Sequence, residues 1–209
     1  MNEGITRRSA LGLGAAALGS TALGLRAEED KKRIGKFTQA TALGPIKRKM
    51  PKVSMDELCI AMKKLGLVGF DLCSPKLWPT LKKHGLVCTM TPSGSLREGL
   101  ADPKNHEKVL ASVRKAIDAT AKEGWKNVIT FSGNRRGMDD EVGLKNSIAA
   151  LKTVAGYAEK KKVTICLEFL NSKSHKDYMA DSTEWCVKLV EGVGSERVKV
   201  LYDIFHAGM

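Results

Sequence analysis

Aromatic residues make up only 5% of this 209-residue chain, and none is interleaved with its basic clusters. Those clusters are short: Lys31-Lys32-Arg33, Lys47-Arg48-Lys49, Lys82-Lys83 and Lys160-Lys161-Lys162. A nucleic-acid groove wants stacking rings among its cations. The clusters therefore read as solvated helix surfaces and loops, with no nucleic-acid partner. Histidines number four, and the five cysteines (Cys59, Cys73, Cys88, Cys166 and Cys186) form no CxxC pair and no zinc-type spacing. That excludes a structural zinc site, and apolar neighbours mark most of the cysteines as buried free thiols. LGPIKRK, after the first apolar segment, is no glycine-rich dinucleotide fingerprint.

Positive charge is in excess. The formal net charge is +12, and residues 28–209 still hold 32 basic against 22 acidic residues. Such a field favours anionic substrates or an anionic surface. Near the N-terminus, Thr6-Arg7-Arg8 precedes an uncharged run, Ser9 to Leu25, and a charged cluster from Arg26 to Arg33 follows. The pattern predicts a twin-arginine export signal over residues 1–27, cleaved after Ala27, a charged linker over 28–36, and a periplasmic location. The run falls short of the ~20 residues of a membrane span, so no stable span is expected once the signal is gone. A twin-arginine route carries folded proteins, which suits a domain that buries its thiols reduced.

Beyond the linker, short apolar runs alternate with helical patterns. The expected strands are 37–43, VGFDL, LVCTMT, NVITF, VTICLEFL and VKVLYDI. Between them, Ser54 with Glu57 has capping-box form, Pro75 opens a short helix, and Asn105 is the expected cap of a long one with Val109, Val113, Ile117 and Ala121 at fours. Further helices are expected from about Glu141 to Lys161, and from a cap at Asp181 or Ser182 to Gly192 or Gly194. Residues 92–103 are irregular and polar, a candidate active-site loop.

Strict strand–helix alternation implies a parallel sheet covered by helices. Polar residues at the strand ends (Asp71, Thr91, Ser132, Glu168 and Asp203) favour an α/β fold of the (β/α)8 TIM-barrel type over a doubly wound sheet. In the fifth strand Thr164, Cys166 and Glu168 share the face expected to look into the barrel, and Ile165, Leu167 and Phe169 the face toward the helices. Residues 37–209 suffice for about six of eight units, a partial barrel. The expectation is an N-terminal portion of a longer protein, inactive on its own.

Glu168 and Asp203 stand 35 residues apart, one strand–helix–strand step, each near the C-terminal end of an apolar run. A carboxylate in such a run is costly unless paired or metal-bound. The alternatives are a buried salt bridge for Glu168 and capping of a following turn for Asp203. Asn171, Lys173 and His175, in the loop after the fifth strand, could hold substrate carboxylate or hydroxyls. Asn134 and Arg135 follow the fourth strand on the same face, where Arg135 could clamp a carboxylate bidentately. Trp78, Trp125 and Trp185 read as core.

Four segments in order, WPTLKKHGLVCTM, NVITFSGNR, LEFLNSK with HKDYM, and VGSERVKVLYDIFHAGM, resemble the hydroxypyruvate isomerase-like branch of the xylose isomerase-type barrels, the sugar phosphate isomerase/epimerase group. The resemblance implies a divalent cation, Mg²⁺ or Mn²⁺, held by four side chains at strand ends. Glu168 would then be metal ligand and acid–base, Asp203 a second ligand, and His206 a contact to substrate hydroxyls. It implies an isomerase of small hydroxy-aldehydes and hydroxy-ketones, of hydroxypyruvate or sugar type, working through an enediol. A homo-oligomer is compatible with this. An exported, non-catalytic carbohydrate-binding barrel is the alternative; a metallo-endonuclease ranks last, for want of histidines.

Overall fold

The computed structural model describes residues 37–209; the export signal and linker expected from the sequence lie outside the described residues. The first strand, β1 (Ala40–Ala42), is shorter than expected because the chain turns at Leu43 into a helix, α1 (Leu43–Lys49). Pro45 falls in its first turn, where no N–H is needed, and Lys47, Arg48 and Lys49 complement the carbonyl end. Helix α2 (Met55–Lys64) begins as the sequence predicts. Ser54 Oγ accepts the Glu57 N–H at 3.2 Å, and Glu57 Oε2 accepts the Ser54 N–H at 2.8 Å.

Strand β2 (Gly69–Asp71) lies so close to its neighbour that a Cβ on Gly69 would sit 1.9 Å from the Val87 carbonyl oxygen. A turn at Pro75–Leu77 leads into α3 (Trp78–Lys83), and β3 (Val87–Met90) follows. The next helix, α4 (His106–Lys122), is not capped by the Asn105 side chain. It starts through a tight turn at Pro103–Asn105, and Asp102 takes the Lys104 N–H at 3.0 Å instead.

Strand β4 (Asn127–Thr130) leads to α5 (Asp140–Lys161), whose N-cap is Asp139. Then come β5 (Thr164–Glu168) and α6 (Thr183–Val193), with Ser182 rather than Asp181 as cap. Last are β6 (Val198–Leu201) and the four-residue α7 (Ile204–Ala207).

Every strand pairing is parallel, in the orders β1-β2-β3 and β4-β5-β6. The two triplets meet where Thr91, just past β3, bridges to Val128. Six strand–helix units wound in sequence order are the partial α/β barrel that the alternation predicts. The strand faces also fall as expected. Ile165, Leu167 and Phe169 join the apolar layer beneath α4, α5 and α6, whereas Cys166 and Glu168 do not. A second apolar cluster, around Phe70, Leu81 and Trp78, serves β1 to β3. The buried Trp78 packs edge-on to the half-buried Trp125 at 4.7 Å between ring centres. All five cysteines are buried and free. Burial pushes the Cys166 thiol up to about 11 and those of Cys73 and Cys186 to about 12, which leaves them inert. Among the described residues no helix is long and apolar enough to cross a membrane.

Candidate functional site

Parallel pairing sets the site. In register, Glu168 at the end of β5 lies opposite Leu201 at the end of β6. Asp203 follows two residues later, so both carboxylates stand at the C-terminal ends of neighbouring strands. Burial raises the Glu168 carboxyl to about 7, and the charge of Asp203 adds to the rise. Glu168 has no cationic partner among the described residues, so it is not half of a salt bridge. Asp203 does cap the turn that follows: its Oδ1 accepts the Phe205 N–H at 2.8 Å, and Oδ2 stays free of that bond.

That turn brings His206 back. In an extended chain it would face away from Asp203, but α7 places its Nε2 3.9 Å from Asp203 Oδ2. The ring is fixed from the other side by Asn171, whose backbone N–H and side-chain amide both donate to His206 Nδ1, at 3.1 and 2.6 Å. Two donors on Nδ1 place the ring proton on Nε2, directed toward Asp203. Desolvation holds the imidazole below its ordinary range, against the pull of Asp203, so it is neutral at physiological pH. Asn171 is itself buried and set by its own loop, where its Oδ1 accepts the Ser174 N–H at 2.8 Å.

Three loops are laced together around this rim. The Tyr178 hydroxyl, fully buried, accepts the Ser132 N–H at 3.1 Å and donates to the Glu168 carbonyl at 2.9 Å. It ties the loops after β4 and β5 to the C-terminal end of β5. The loop after β3 is tied in by its backbone. The Asn134 N–H donates to the Arg97 carbonyl at 3.1 Å, and Leu100 and Ala101 donate to Phe131 and Ser132. Gly99 and Gly133 meet back to back; a Cβ on Gly99 would lie 2.2 Å from the Gly133 nitrogen.

Arg135 is committed inside this lacing. Its Nε meets Asp140 at 2.7 Å, one Nη meets Asp181 at 2.7 Å, and the other donates to the Tyr178 carbonyl. Asp181 and Asp140 hold the guanidinium charged at any accessible pH. The fork expected to clamp substrate thus already holds two carboxylates of its own chain.

Between the laced loops lies an open cleft of about 360 Å³, lined by Arg97, Asn134, Lys173, His175, Lys176 and Asp177 among others. It collects Asn134, Lys173 and His175 from the residues singled out in the sequence. His175 links it to the carboxylates, its ring lying 5.5 Å from that of His206. Lys173 reaches the Met209 carbonyl. Arg97 and Lys176 were not singled out. Arg97 had a readable signal, as the only cation in the irregular loop 92–103; Lys176, in a loop rich in charge, had none.

Two carboxylate oxygens of this kind suit a hard divalent cation, and a cation would offset the burial, and with it the Asp203 charge, that raise Glu168. Glu168 and Asp203 therefore fit two places in an oxygen shell. Among the described residues, no three His, Cys, Asp or Glu side chains converge as a metal set.

Comparison with known proteins agrees with the architecture. Solved structures share the fold across most of the chain. An AP endonuclease of family 2 from Brucella melitensis has a TM-score of 0.67 at 18% identity, covering 80% of this chain and 68% of its own. The 3-keto-D-glucoside 4-epimerase from E. coli has 0.60 at 18%, with 74% and 65% covered. The D-psicose 3-epimerase from Clostridium cellulolyticum H10 has 0.61 at 20%, with 76% and 61% covered. The chain thus spans about two thirds of the length of these proteins. Comparison with curated proteins finds no significant match. The family profile described as xylose isomerase-like TIM barrel matches residues 65–209, and the chain belongs to that family.

Proposed function

We propose that the protein is a metal-dependent isomerase or epimerase of small hydroxy-aldehydes and hydroxy-ketones, of the hydroxypyruvate or sugar type, working through an enediol. The observation that carries this reading is Glu168, a carboxyl near neutral pKa at a strand end beside a second carboxylate. A base whose pKa lies near the working pH can take a proton from carbon and return it. Two of the solved structures that share the fold bear the names of sugar epimerases, which supports the same class.

Glu168 and Asp203 would hold the divalent cation, which when bound polarises the carbonyl and its neighbouring hydroxyl and so acidifies the C–H between them. Glu168 takes the proton from that carbon and delivers it to the adjacent one on the same face, while the hydroxyl proton passes to the former carbonyl oxygen; epimerisation requires a second acid on the opposite face. His206, held with Nε2–H outward by Asn171, donates to a substrate oxygen near Asp203. The buried Tyr178 fixes the backbone at Glu168, so the carboxyl meets substrate in one position. Asn134 and His175 face the cleft, where they orient substrate hydroxyls.

The test is an isomerisation assay of the gene's full product on hydroxypyruvate and on ketoses, with Mg²⁺ or Mn²⁺. Glu168→Gln should abolish turnover, and full activity in that variant would remove the acid–base role.

A further inference from the structure

The candidate site occupies the C-terminal ends of the strands, and the opposite end of the barrel carries a charge surplus of its own. The turns from helix into β2, β3, β4 and β5 (residues 63–68, 82–87, 122–127 and 159–164) hold nine lysines and two glutamates. Both glutamates are engaged, Glu123 with Lys82 at 2.7 Å and Glu159 with the Ser195 hydroxyl at 2.6 Å. These turns adjoin one another. Lys63 Nζ lies 3.7 Å from where a side chain on Gly85 would begin, Lys82 reaches across to Glu123, and the Thr164 N–H donates to the Lys126 carbonyl at 2.7 Å.

A lysine at the end of a helix complements its dipole and is ordinary by itself. Two features go further. Each turn from helix into β2 to β6 passes through a left-handed residue, and in four of the turns it is a glycine: Gly66, Gly85, Gly124 and Gly194. In the turn into β5 it is Lys162, at φ 57°. A side chain there carries backbone strain that glycine would avoid. Lys162 is exposed and, like Lys126 and Lys160, has no ion pair among the described residues.

The second feature is apolar. Leu65, next to Lys63 and Lys64, is 70% exposed, and the half-buried Trp125 precedes Lys126. Cations around an exposed apolar tip fit a lipid interface: ammonium groups meet headgroup phosphates, and the leucine enters the boundary with the acyl chains. A nucleic acid would gain nothing from that leucine. The Tyr157 ring, which could stack on a base, is covered by Arg114 and Lys161, each 5.4 Å from its centre. The chain also enters at this end, where β1 begins at Ala40, with Lys31, Lys32 and Arg33 a few residues before it in sequence.

We propose that the N-terminal end of the barrel is a membrane-facing surface, on which Lys126, Lys160 and Lys162 meet the phosphates of anionic phospholipids and Leu65 enters the headgroup layer. The mouth that holds Glu168 and Asp203 then opens away from the bilayer.

The experiment is co-sedimentation of the full chain with vesicles of phosphatidylcholine containing about 30% phosphatidylglycerol, and with vesicles of phosphatidylcholine alone. Binding should require the anionic lipid and weaken as salt rises. Lys126→Gln and Lys162→Gln should each weaken it about fivefold, the effect of one lysine at such a surface. Leu65→Ser should weaken it as well. Lys104→Gln, an exposed cation just before α4 at the other end of the barrel, should bind as wild type does. Circular dichroism checks that these exposed substitutions leave the fold intact. The apolar run at 9–25 is common to all the variants, so attachment through it alone would give equal binding to both vesicles and no effect of Lys126→Gln or Lys162→Gln. That result overturns the surface, as does a weakening by Lys104→Gln as large as that by Lys162→Gln. It is equally overturned if a short DNA duplex displaces the vesicles and Leu65→Ser has no effect, which makes this end a nucleic-acid surface.

Discussion

Replacing Glu168 by glutamine should make the metal-free protein more stable, and only above mildly acidic pH. In the fold the Glu168 carboxyl titrates at about 7, raised from 4.5 by burial and by Asp203. Between those two values the folded protein keeps a proton that the unfolded chain has released. Stability therefore falls as pH climbs through this window, by up to about 1.4 kcal/mol per unit. The full shift corresponds to about 3 kcal/mol, which the partial solvent access of a rim position reduces to about 2 kcal/mol. Glutamine has the same shape and never ionises, so it escapes this cost. Urea unfolding of both proteins in chelator, at pH values from 4 to 8, isolates the cost of ionising Glu168 beside Asp203, since titrating groups away from this pair cancel in the difference. The variant should match wild type near pH 4 and exceed it by about 2 kcal/mol at pH 8. A gain that does not change with pH, or a loss at pH 8, would refute an electrostatic strain at this carboxyl.

Three further substitutions probe the frame around the site. Tyr178→Phe removes the hydroxyl shared by the Ser132 N–H and the Glu168 carbonyl; equilibrium unfolding should show a loss of about 2–3 kcal/mol. Gly133→Ala places a side chain at φ +84° and 2.5 Å from the Gly99 nitrogen. It should cost more than about 2 kcal/mol and quicken proteolysis of the loop at 92–103, read by mass spectrometry of early fragments. Arg135→Gln leaves Asp140 and Asp181 facing each other without their cation, with an expected loss of about 1–3 kcal/mol in thermal unfolding that added salt partly restores.

The strand order and the faces of β5 could be read from the chain because both follow from repetition: alternation along a strand, and strand followed by helix along the fold. Glu168 was visible for the same reason, a charge at the end of an otherwise apolar run. Helix α1 was hidden, since seven residues with a proline and three terminal cations show no apolar period. Asp102 displaced Asn105 as a cap because a tight turn preceding a helix shifts its start, and the side chains alone do not reveal that. Arg135 is the more instructive case. Beside a strand end it looked like a substrate clamp, yet one of its partners, Asp181, lies 46 residues away on another loop. Contacts between loops, including the Tyr178 hydroxyl, depend on how the strands are stacked and leave no periodic trace. His206 was a mixed instance: its cooperation with Asp203 required the chain to bend, and the capping aspartate is what bends it.

The seam at Thr91 has a mechanical consequence. The apolar cluster of β1 to β3 and that of β4 to β6 are separate, and the strands on either side touch at the Thr91–Val128 bridge, where Thr120 of α4 adds a bond from its Oγ1 to Thr91 Oγ1. Helix α4 spans the divide, presenting Val113 and Ile117 to one cluster and Ala119 to the other. Amide exchange should thus resolve two blocks that open on different timescales, hinged along α4. Methyl-bearing threonines at the joint would then set how readily the halves part.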